Sequence, residues 1–99
     1  MNDAFRAALR IDAAHPALAG HFPGHPVVPG VVVLERVVAA LRAWRGGRVE
    51  KLEVKFLQPL LPGEDAVIEL HAESTHVGFT VTRADGVALA RGALQAAHA

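Results

Sequence analysis

The sequence predicts an α+β domain, with one buried helix held in a curved antiparallel sheet. Three observations carry that prediction. A single long apolar run occupies residues 30–44. Beyond Gly46-Gly47 the pattern switches to alternation of apolar and polar residues, the period of strands. Proline and glycine clusters divide the segments, at 20–30, 59–63 and 84–86. Ninety-nine residues are enough for a single domain, 1–99, with a modest core.

The elements follow in order. Phe5 to Ile11 reads as a first strand, and Asp12 to Gly20 as a connector in which Asp12-Ala13-Ala14-His15-Pro16 can form a short helical turn. Gly20 to Pro29 is a loop stiffened by Pro23, Pro26 and Pro29, which fix φ and remove backbone donors. Pro29 biases Val28 toward extended geometry, so the helix is expected to start at or just after Pro29. The valines of Val31-Val32-Val33 favour strand by propensity. The length of the run, its Pro-Gly opening and the Gly46-Gly47 exit favour a helix over Gly30 to Trp44. Its apolar side chains go almost all the way round, which predicts burial on most faces, Glu35 included.

Leu52, Val54 and Phe56 then alternate with Lys51, Glu53 and Lys55 as a half-buried strand. Pro59 and Pro62-Gly63 mark a loop. Ala66 to Glu73 is a further strand, and Val77, Phe79 and Val81 mark another. Ala84-Asp85-Gly86 is a tight turn, Val87 to Ala96 closes the sheet, and Ala96 to Ala99 is expected to fray. Five strands leave open edges and an uncovered helix flank, which predicts a homodimer. The high apolar content, 52% of residues, agrees with a subunit interface.

Composition excludes several function classes. Lysine plus arginine and aspartate plus glutamate number ten each, so the formal charge is zero, unlike a nucleic-acid binder. There is no cysteine for a disulfide framework, which fits a reducing cytoplasm. The polar start Met1-Asn2-Asp3 carries no signal-peptide pattern, and no apolar run reaches membrane-spanning length. His15, His71, His76 and His98 are scattered, and His21 with His25 lacks a third ligand, so no metal site is expected.

The chemistry-bearing stretch is His21-Phe22-Pro23-Gly24-His25-Pro26-Val27-Val28-Pro29-Gly30-Val31-Val32-Val33-Leu34-Glu35. It resembles the active-site segment of the 3-hydroxyacyl-acyl-carrier-protein dehydratases of the hotdog fold, roughly HFPGxPxxPGVxxxE. Lys55-Phe56-Leu57-Gln58-Pro59-Leu60-Leu61-Pro62-Gly63-Glu64 resembles a second segment of that family, KFxxPVxPGD. Where the family continues E-A-x-A-Q, this chain has Glu35-Arg36-Val37-Val38-Ala39.

The resemblance implies loss of water from a 3-hydroxyacyl thioester, giving the trans-2-enoyl thioester. His21 matches the catalytic histidine, a base near neutral pH. Glu35 matches the catalytic carboxylate that assists departure of the hydroxyl, by donating a proton, for which apolar surroundings must keep it protonated, or by orienting the hydroxyl through a hydrogen bond. Gly30 matches the glycine whose N–H donates to the thioester oxygen. In family dimers the histidine and glutamate of one site come from different subunits. Phe22, Val28 and Val33 are expected to line the acyl tunnel. No bound cofactor is implied, only the phosphopantetheine arm of acyl carrier protein. Those carriers are acidic, and a basic rim at the site mouth, Arg42, Arg45 and Arg48, is expected to steer them. The same fold accommodates acyl thioesterases and non-catalytic acyl- or partner-binding domains.

Overall fold

The computed structural model describes residues 3–18 and 27–97. Strand β1 is Ala4–Leu9 and a single 3-10 turn covers Pro16–Leu18. Helix α1 is Gly30–Trp44, followed by β2 (Arg48–Phe56), β3 (Ala66–Ala72), β4 (Val77–Arg83) and β5 (Ala88–Ala97). All five strands form one antiparallel sheet in the order β1-β3-β4-β5-β2. The sheet wraps α1, which packs against β1, β3 and β2. This is the hotdog arrangement predicted from the sequence.

Helix α1 spans the predicted residues. Val33, Val37, Ala40 and Leu41 recur at helical spacing and are buried with Val32. They meet the inner sheet face, where Ile68, Leu70, Phe79, Val81 and Leu94 are also buried. Burying one such aliphatic side chain contributes about 1.5–3 kcal/mol. The helix leaves cleanly: the Arg45 N–H donates to Leu41 O at 2.8 Å and the Gly46 N–H to Arg42 O at 3.0 Å. Gly46 takes φ of 71°, a left-handed conformation that glycine adopts without strain.

Burial on most faces of α1 does not occur in a single chain. Val31, Glu35, Ala39 and Arg42 fall on one stripe and are exposed. The reason is geometric: a one-layer sheet covers only one side of a helix. Glu35 is therefore on the uncovered side, not among buried valines and leucines.

The structure departs from the sequence pattern at several strand ends. The first strand ends at Leu9, although Ile11 is fully buried. Phe56, expected half-buried, is 49% exposed at the end of β2. Ala96 and Ala97, expected to fray, pair with Val49 and Arg48. Alternation reveals a strand but not its partner, and the pairing with β2 is what holds these residues.

Connectivity positions the site. Strand β2 lies at one edge of the sheet, while β3 is second from the other. The segment 57–65 must therefore cross the sheet. It is pinned at three places. The Leu57 and Gln58 N–H groups donate to Leu89 O (2.8 and 3.2 Å), the Val28 N–H donates to Leu60 O (2.9 Å), and the Gly63 N–H donates to Ile11 O (2.8 Å). Its last turn is closed by Glu64, which accepts from the Leu61 N–H at 2.9 Å and lies 3.8 Å from Arg83.

Candidate active site

The first residues of α1 and the crossing segment enclose an apolar cavity of about 430 Å³. Val28, Gly30 and Val33 line it from the helix side; Val28 and Val33 are two of the residues expected along an acyl tunnel, and Gly30 is the expected N–H donor. Val28 and Val33 are buried, so each presents a fixed apolar wall. The opposite wall comes from residues to which the sequence reading gave no lining role, among them Phe56, Gln58, Pro59, Leu60 and Ala90. The signal for them was the second motif itself, which contributes every residue from Phe56 to Leu60.

Gly30 joins the two motifs. A Cβ at this position would lie 2.7 Å from Cζ of Phe56 and 3.0 Å from its Cε2. The aromatic ring thus rests on the bare Cα, and close approach, rather than an unusual φ, is what requires glycine here. The Val32 and Val33 N–H groups donate back to Pro29 O at 3.0 and 3.4 Å. The helix offers no acceptor to the N–H groups of Gly30 and Val31, and Pro29 supplies no side-chain cap. These two donors sit at the positive end of the helix dipole, Gly30 at the cavity wall, where an N–H can donate to a carbonyl oxygen or oppose developing negative charge.

The remaining predicted residues divide. Glu35 is on α1, exposed, little more than one turn beyond Gly30. His21 and Phe22, with His25, lie outside the described residues. The three arginines do not form a rim at the cavity. Arg42 is near the C-terminal end of α1, about 18 Å along the axis from Gly30. Arg45 lies over the Trp44 ring at 4.2 Å, and Arg48, at the start of β2, is 3.6 Å from Glu50. Proximity in sequence to the active-site motif was misleading, because a straight helix carries the chain away from it.

Among the described residues, no group of three or more histidine, aspartate and glutamate side chains is arranged to hold a metal ion. No helix among them is long and apolar enough to cross a membrane. The clearest perturbed ionisation is remote from the cavity. The Arg83 guanidinium, bonded to Asp85 at 2.8 and 3.0 Å, holds that carboxyl below its ordinary range, with the Val87 N–H adding to the effect. This pair fixes the β4–β5 turn.

Residues 1–93 match the ApeI-like family, described as ApeI dehydratase. The chain belongs to the ApeI-like dehydratase family. The resemblance to acyl-carrier-protein dehydratases also has a measured basis. The chain is 36% identical to a 3-hydroxyacyl-[acyl-carrier-protein] dehydratase FabZ of Cronobacter sakazakii, over 88% of this chain and 64% of that protein. It is 34% identical to the FabZ of Klebsiella pneumoniae over the same shares. The chain thus spans just under two thirds of the length of these curated relatives. Among solved structures, the dehydratase heterocomplex ApeI:P from Xenorhabdus doucetiae is similar in fold, with a TM-score of 0.84. That likeness has 22% identity and covers 97% of this chain and 88% of that one. An uncharacterised protein from Erwinia carotovora subsp. atroseptica is similar at 25% identity, with a TM-score of 0.79, over 96% of this chain and 85% of that one.

Proposed function

We propose that this ApeI-like protein removes water from a 3-hydroxyacyl thioester carried on the phosphopantetheine of acyl carrier protein, giving the trans-2-enoyl thioester. Such a step belongs to fatty-acid or polyketide-type biosynthesis. The observation that supports the proposal is the apolar cavity at the start of α1, with the Gly30 N–H, which has no acceptor among the described residues, at its edge. An acyl chain lies along Val28 and Val33 there, and the thioester oxygen receives the Gly30 N–H.

The chemistry needs a base and help for a poor leaving group. His21 takes the proton from the carbon next to the thioester carbonyl. Charge then develops on the thioester oxygen, where the helix amides oppose it. Glu35 assists departure of the hydroxyl, by donating a proton or by orienting it. Phe22 completes the tunnel. Water addition is the reverse reaction and uses the same groups.

A homodimer completes the site in this account. The uncovered stripe of Val31, Glu35 and Ala39, with the unpaired edge of β2, is the surface that a second subunit covers. That cover gives Glu35 the apolar surroundings that one chain lacks, and supplies His21 from the other subunit.

The test is mass spectrometry of the protein incubated with 3-hydroxybutyryl and 3-hydroxyoctanoyl carrier protein. Loss of one water is expected, falling by roughly 10²–10⁴ in His21→Ala. Release of free acid instead indicates a thioesterase. No change with either substrate contradicts the proposal and favours a non-catalytic acyl-binding role.

A further inference from the structure

The peptide group between Leu60 and Leu61 is held from both sides. Its C=O accepts from the Val28 N–H at 2.9 Å, and its N–H donates to Oε1 of Glu64 at 2.9 Å. The other carboxylate oxygen of Glu64 lies 3.8 Å from the Arg83 guanidinium. One line of polar contacts thus runs from Arg83 on β4, through Glu64 and a single peptide, to Val28 just before α1.

That line ends at the cavity. Val28 and Leu60 both line it, and both are buried, so their hydrogen bond is shielded from water. Only Pro29 separates Val28 from Gly30, and a proline has a fixed φ, so the link between them is stiff. A carboxylate that accepts a peptide N–H also makes the C=O of that peptide a better acceptor, because aligned hydrogen bonds polarise one another.

The neighbouring anchors do not depend on the Glu64 side chain. The Gly63 N–H donates to Ile11 O at 2.8 Å, the Ala84 N–H to Asp65 O at 2.9 Å, and the Glu64 N–H to Leu61 O at 3.2 Å. Arg83 has a second carboxylate in Asp85, at 2.8 Å. What the Glu64 side chain alone supplies is the bond to the peptide that holds Val28.

We propose that Glu64 is a positioning residue: through the Leu60–Leu61 peptide it fixes Val28, and with it the Gly30 N–H at the cavity wall. Arg83 holds the carboxylate in place. The inference rests on the dehydratase reading for the reaction that this donor serves. In that reaction the donor matters most when charge is greatest on the thioester oxygen, so loss of Glu64 lowers kcat more than it raises KM.

Kinetics with 3-hydroxybutyryl carrier protein and amide hydrogen exchange followed by NMR test this together. In Glu64→Ala, kcat is expected to fall about tenfold, with KM within about twofold of wild type. The Val28 amide should exchange about tenfold faster, while that of Leu70, in the interior of the sheet, stays as it was. Glu64→Gln keeps an oxygen that can accept from the Leu61 N–H, and should restore most of both. Asp85→Asn loosens the adjoining Arg83 pair without touching the peptide, and should keep the wild-type kcat. A kcat loss in Glu64→Ala no greater than in Asp85→Asn overturns the proposal, as does an unchanged Val28 amide or an equal acceleration at Leu70. Faster Val28 exchange in Glu64→Ala, when wild type removes no water, upholds the positioning of Val28 and refutes the dehydratase reading instead.

Discussion

The two ends of α1 are built in opposite ways. At the C-terminal end the helix closes on itself and on its neighbours. Trp44 stacks on Phe5, with centroids 6.2 Å apart, and the Arg45 guanidinium lies 4.2 Å from the centre of the Trp44 ring. The Arg45 and Gly46 N–H groups donate to the carbonyls of Leu41 and Arg42 in the last turn. At the N-terminal end the amides of Gly30 and Val31 have no helical acceptor, Val31 is 62% exposed, and a cavity opens beside them. A protein selected for stability alone would close both ends. The open end is the one with an exposed carboxylate nearby and a glycine under an aromatic ring, and it is the end to which the chemistry is assigned.

The largest expected effect that tests this contrast is at Glu35. Glu35→Ala should lower kcat for the hydroxyacyl thioester by roughly 10²–10⁴. As an exposed helix residue in the single chain, it should shift chain stability by no more than about 0.5 kcal/mol. Steady-state kinetics and thermal melting of one preparation check both halves. A large loss of stability with modest loss of rate would mean that Glu35 is a packing residue.

Gly30→Ala should come next. The new methyl meets the Phe56 ring, and overpacking of this kind costs about 1–3 kcal/mol. Because that ring is half exposed, Phe56→Ala should restore most of the stability in the double variant. A double-mutant cycle by denaturant unfolding reads the coupling, and additive effects would show that the ring is not what requires glycine.

At the closed end the pattern should invert. Trp44→Ala removes the stack on Phe5 and the seat of Arg45, and should cost about 2 kcal/mol, less than a fully buried tryptophan. Its kcat should remain within about twofold of wild type, since among the described residues neither Gly30 nor Glu35 is near it. A hundredfold loss of kcat would erase the distinction between the two ends.

The smallest effect concerns Asp85, far from both. Its carboxyl is held low by Arg83, so the folded state binds its proton less readily than the unfolded chain. The stabilisation is present above the ordinary carboxylate range and is lost as pH falls through the depressed value. Asp85→Asn should therefore melt lower than wild type at neutral pH, and the difference should vanish in strong acid. A difference independent of pH would assign the contribution to turn geometry.

Much of this contrast was legible in the residues. The bounds of α1 followed from Pro29, Gly30 and the glycine pair after it, because those residues act through local backbone geometry. The five strands followed from period-two alternation. Val28, Gly30 and Val33 were assigned to one site, and the fold brings them to one cavity. What was not legible depends on where the chain goes next. Alternation cannot show that β2 pairs with β5 rather than β3, so the crossing segment and its wall of Gln58, Pro59 and Leu60 were hidden inside a motif. The same limit misplaced Arg42, Arg45 and Arg48, and concealed the meeting of Val28 with Leu60, which are far apart in sequence. Glu35 was misjudged for a different reason. An apolar helix signals burial but not by what, and in the proposed dimer a second chain supplies part of that burial.

The most direct test of the open-end account is a backbone NMR titration with the trans-2-butenoyl thioester of N-acetylcysteamine, a small analogue of the proposed product. The account predicts shifts concentrated at the amides of Val28, Gly30, Val31, Val33 and Ala90, with Trp44 and Arg45 unmoved. Shifts centred on Trp44, Arg45 and His76, with Gly30 unmoved, would contradict it.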